Sequence, residues 1–238
     1  MTNSSTSWRI KPPEIALTEQ LSFRQGEAIP IDIGRIQGFY DDRQPFVQID
    51  FLIPAGIWFE SQYGAAQMMA SMLKSGTSNH SNKALNALIE ETGGNIEIQR
   101  GTYYIHIIIQ GLNHSIEILL DLLFDILSES TFEELELSKR VTILSNKLRR
   151  LNQQPEYRAS KEISKLLYGE SHPYGRSLDI QHLEKIKTQD VRDHAKQWLS
   201  WNTDCIGTIA GCYNHSLIDH LCKGLSTLTK DRSPSIPE

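Results

Sequence analysis

Residues 64–77 read GAAQMMASMLKSGT, and the rest of the chain is best interpreted outward from them. Ala65, Met68, Met69, Met72 and Leu73 recur at intervals of three and four, which predicts a helix running on from Ser61 and closed by Ser75 and Gly76. Opposite that apolar stripe, Gln67, Ala70 and Ser71 occupy positions i, i+3 and i+4 and share one face. One face packs; the other is free for chemistry.

Upstream, FVQIDFLI from Phe46 alternates strictly, with Val47, Ile49, Phe51 and Ile53 on one side and Gln48 and Asp50 on the other, the period of a half-buried strand. Downstream, a second helix is expected over residues 81–92, with Ala84, Leu85 and Leu88 inward and Gly93 and Gly94 ending it. Residues 95–110 read as strand broken near Gly101. Helices follow from Ser115, from Thr131 with Glu134 as a capping-box start, from Glu156, and from Thr188 as a cap. A last strand, Cys205 to Ala210, leads into a short terminal helix. Strand, two helices, strands, several helices and strand imply an α+β layer, a mainly antiparallel sheet with helices packed on one face. The expected organisation is an N-terminal extension over 1–30, read as an entry segment or an edge strand, a domain over 31–226, and a tail or linker over 227–238.

The whole chain has 238 residues, 39% apolar and 22% charged, so it can bury a core. A net charge of −5 leaves no basic footprint for nucleic acid. Its most apolar stretch, 116–127, is interrupted by Glu117, Asp121 and Asp125 and is too short to span a membrane. The three cysteines, Cys205, Cys212 and Cys222, look like a reducing-compartment inventory, and the N-terminus does not read as a secretory signal, so the expected location is cytoplasmic.

Four segments in order carry a resemblance: the helix 64–77, IEETGGNIEI at 89–98, TFEELELSKRVTILSNKLRRLNQQPE at 131–156, and YGESHPYGR at 168–176. Together they resemble the pitrilysin or insulinase-type zinc peptidases, the inverzincins. The resemblance implies a helix bearing H-x-x-E-H, whose two imidazoles bind zinc while a carboxylate activates a water. Here those positions are Gln67, Ala70 and Ser71, and the family's third ligand, a Glu on the long helix, falls on Lys147. Neither H-x-x-E-H nor H-E-x-x-H occurs among the eight histidines. The expectation is therefore a peptidase homologue with no catalytic residue, no metal and no cofactor.

The resemblance further implies that the strand at Glu97, Ile98 and Gln99 lies at a sheet edge able to hold an extended peptide through its backbone, the alternative being an edge covered by a partner or loop. It implies a partner as well, either a zinc-bearing subunit of the family or a second homologous domain, with which this chain encloses or aligns a peptide. A purely structural assembly subunit and the N-terminal part of a longer inactive protein are the alternatives. Cys212, His215, His220 and Cys222 lie within eleven positions and offer metal-ligand chemistry, set against a buried thiol and surface histidines. His106, alone on a strand, reads as a sheet residue, and His172 and Tyr174 of HPYGR as parts of a rigid turn.

Overall fold

The computed structural model describes residues 25–229. Six strands form one sheet: β1 (Glu27–Ile29), β2 (Arg35–Tyr40), β3 (Phe46–Ile53), β4 (Asn95–Arg100), β5 (Ile105–Leu112) and β6 (Ile206–Gly211), in the order β1-β2-β6-β3-β5-β4. Every pairing is antiparallel except β2 with β6. Among the described residues there are eight helices: α1 (Ala65–Met72), α2 (Asn82–Glu91), α3 (Ile116–Glu129), α4 (Glu134–Leu151), α5 (Pro155–Tyr168), α6 (Ile180–Lys185), α7 (Thr188–Trp198) and α8 (His215–Leu228).

The alternation of β3 has its expected effect. Val47, Ile49, Phe51 and Ile53 are buried, Ile49 faces Ile109 on β5 and Ile209 on β6, and the core forms between this face and the helices. The opposite face carries a polar ladder in which His106 Nε2 lies 2.9 Å from Asp50 Oδ1 and Gln48 Nε2 donates to Asp50 Oδ2 over 2.8 Å. His106 is thus a sheet residue with a partner. Helix α1 buries Met68, Met69 and Met72 and packs on α7, α4 and β4.

Several expected boundaries shift. Glu27–Ile29 joins the sheet ahead of residue 31, because Ile29 reaches the core while pairing with Ile36. Ala84 is exposed, and Leu85 and Ile89 are the residues α2 buries. Thr131 does not cap α4: its amide donates to the Gly76 carbonyl over 3.2 Å, Phe132 takes a φ of +47°, and the helix starts only after Glu133. Thr188 is the first residue of α7, not its cap; Asp190 accepts instead from the Lys187 amide over 2.8 Å.

Two close approaches hold elements together. Gly211 ends β6 at φ +114°, where a Cβ would lie 2.0 Å from the Phe46 carbonyl oxygen. Trp201, 1% exposed, donates from Nε1 to the Ile33 carbonyl over 2.6 Å and meets Phe51 edge-on. By contrast, α5 buries no side chain, and Ile163, Leu166 and Leu167 are 57%, 84% and 71% exposed.

Candidate functional site

Helix α1 begins at Gly64, which sits at φ +92° and offers no side chain to cap the helix. Glu60 fills that role from the preceding turn, its Oε2 accepting from the Gly64 and Ala66 amides, both at 3.1 Å. The carboxylate therefore faces the positive end of the helix. Burial pushes the Glu60 carboxyl above its ordinary value, while those two amides, Arg176 and Arg100 pull it down.

Glu60 opens onto a cavity of about 290 Å³ between α1, α4 and the loop before α6. Gln67 and Lys147, the first and last of the positions singled out above, both line it. Arg100, at the end of β4, donates from Nε to Gln67 Oε1 over 3.0 Å and so fixes the amide. Arg176 enters from the HPYGR loop, its guanidinium 4.7 Å above the Tyr63 ring and one terminal nitrogen donating to the Ile57 carbonyl. Its Nε is shielded and has no hydrogen-bond partner. Lys147 makes no hydrogen bond or ion pair among the described residues. Leu144, Leu148, Leu151 and Leu178 form the apolar wall.

The other two positions lie off the cavity lining. Ala70 is 8% exposed, and the Ser71 hydroxyl donates back to the Met68 carbonyl over 2.9 Å, a bond internal to the helix. Strand β4 is an edge strand, with Glu97 and Gln99 exposed and joined by a 2.9 Å hydrogen bond and Ile98 half-buried. Lys74 donates to the Ile96 carbonyl of the same strand; burial lowers its pKa, and Glu97 opposes that shift.

Cys212, His220 and Cys222 find separate partners, and His215 opens α8. His220 Nε2 lies 2.8 Å from Asp121 Oδ1, Cys212 Sγ accepts from Asn113 over 3.7 Å, and Cys222 Sγ is 3.8 Å from the Pro30 carbonyl. Among the described residues no three His, Cys, Asp or Glu side chains form a group that could hold a metal. His172 and Tyr174 belong to a ring cluster with Trp58 and Tyr168. No helix among the described residues is long and apolar enough to cross a membrane.

Spacing along single elements missed Glu60, Arg100 and Arg176. Arg176 stands within the quoted HPYGR, and that was the available signal: an arginine held in a Pro- and Gly-punctuated turn is an arginine held in place.

A six-stranded layer backed by helices is a fold this chain shares with solved M16 structures. The chain belongs to the insulinase family, peptidase family M16, whose profile matches residues 39–178. It is 23% identical over 187 residues to a protein of Arabidopsis thaliana named probable mitochondrial-processing peptidase subunit beta, covering 75% of this chain and 34% of that one. Its fold is similar to a structure from Pseudomonas fluorescens described as a peptidase M16 inactive domain, at 17% identity and a TM-score of 0.83, covering 90% of this chain and 53% of that one. Pitrilysin matches at 16% identity and a TM-score of 0.75, covering 91% and 24%. The chain thus spans about a third of that curated relative and about half of the Pseudomonas chain.

Proposed function

We propose that this chain is a non-catalytic member of the insulinase family, which pairs with a zinc-bearing subunit or a second homologous domain and helps to enclose or align a peptide. The cavity at α1 carries the reading. Where the family resemblance calls for imidazoles and a carboxylate, Gln67 offers an amide already held by Arg100, Ala70 and Ser71 offer nothing to the cavity, and Lys147 is an ammonium. A zinc site needs three or four anionic or imidazole donors, and these four positions supply a neutral amide, a methyl group, a hydroxyl bonded within its own helix and an ammonium. Zinc does not fit these residues.

The span of the chain, about half of the Pseudomonas chain, supports a second body. The edge position of β4 supports peptide addition along Glu97, Ile98 and Gln99, where backbone groups do the binding. A cytoplasmic setting belongs to the same reading and is supported by three free thiols.

The test is the native mass and zinc content of the chain captured from its own cells. The expected result is a stoichiometric complex with a zinc-containing relative, whose peptide turnover falls when this chain is left out. A metal-free monomer, or turnover indifferent to the chain, overturns the reading.

A further inference from the structure

Three cations, Arg100, Lys147 and Arg176, line one cavity, and Glu60 is the only carboxylate among its lining residues. That carboxylate accepts from two amides at the N-terminus of α1 and attracts Arg176 and Arg100, one negative charge against three positive ones. The shielded Nε of Arg176 lacks an acceptor, and a buried donor left unpaired is destabilising. Lys147 has no anionic partner among the described residues, and Arg100 spends only its Nε on Gln67. The lining therefore carries an excess of positive charge, with Arg176 half-buried and Arg100 and Lys147 open to solvent at its mouth.

The walls narrow the choice. Leu148 and Leu178 give an anion held there an apolar neighbour, and Glu60 in the same cavity penalises a phosphate dianion more than a monoanion. We infer that this cavity binds the carboxylate of a peptide, held by Arg100, Lys147 and Arg176 with an adjoining apolar side chain against Leu148 and Leu178. The carboxylate comes either from the peptide's C-terminus or from an Asp or Glu side chain. The inference deepens the reading above by naming the ligand chemistry and rests on it for the ligand being a peptide. Titration of the chain alone is blind to pairing, so failure here is distinguishable from failure there.

The experiment is calorimetric titration of the full 238-residue chain with acetylated dileucine as the free acid, the same dipeptide as the C-terminal amide, and an acetylated Leu-Glu-Leu amide. The free acid, the glutamyl peptide or both should bind at least about tenfold more tightly than the dileucine amide. Tight binding by the acid alone assigns the C-terminus as the source, and a match by the glutamyl peptide assigns the side chain. Lys147→Gln and Arg100→Gln, each with an unchanged melting midpoint, should each weaken that binding several-fold. Equal binding of acid and both amides overturns the inference. So do the absence of saturable binding by either carboxylate peptide, indifference to both variants, and inorganic phosphate binding as tightly as the better peptide.

Discussion

Burial of the His194 imidazole, 4% exposed with Nε2 2.9 Å from the Ala55 carbonyl oxygen, lowers its pKa below 6.5 even though that hydrogen bond acts to raise it. The folded-state pKa is the depressed one, so between it and 6.5 the unfolded chain binds a proton that the folded chain refuses. Stability from this residue is full above pH 6.5 and falls as the pH drops toward the folded-state value, by at most about 1.4 kcal/mol per unit. Urea unfolding of the parent and of His194→Gln should diverge in slope over that window, the variant being flatter; parallel curves would remove His194 as the cause. At this scale legibility was uneven. Helical spacing put Gln67 on the face away from the methionines, and the family register put Lys147 on the long helix, and both reach one cavity. Arg176 bonds a carbonyl 119 positions away, and no periodicity within one element encodes such a meeting.

At the scale of elements, alternation located β3 and three-four spacing located α1, because each sets a buried apolar row beside a less buried polar one. The misreadings sit at ends. Thr131 lost its capping role to a backbone bond with Gly76, a tertiary contact that local capping rules do not contain. Gly211 is the end with the largest consequence: an added Cβ meets Phe46 O at 2.0 Å, and φ is +114°. Gly211→Ala should therefore destabilise the protein by at least about 1–3 kcal/mol. Denaturation midpoints would read the loss, and an unchanged midpoint would mean that β3 and β6 do not meet as described.

For the molecule as a whole, α5 is the part that the core does not hold. Since Leu166 is 84% exposed and the helix buries no side chain, Leu166→Ser should leave the unfolding free energy of the isolated chain within about 0.5 kcal/mol of the parent. A larger loss would place that side chain in a core contact. The layered architecture was legible from the order of elements, since a strand, a block of helices and a returning strand admit few arrangements. The position of the returning strand within the sheet was not, because sequence order carries no lateral address.

That position matters when the chain is made. β6 lies between β2 and β3, parallel to one and antiparallel to the other, and spans residues 206–211. During synthesis β3, β5 and β4 can pair as a three-stranded ribbon and β1 with β2 as a second one, while the strand that joins them is still unmade. Until it emerges, the inner margins of both ribbons stand open, and open margins recruit neighbouring nascent chains. Two half-sheets therefore wait unjoined on the ribosome while residues 113–205 are made, and only then does the closing strand reach them.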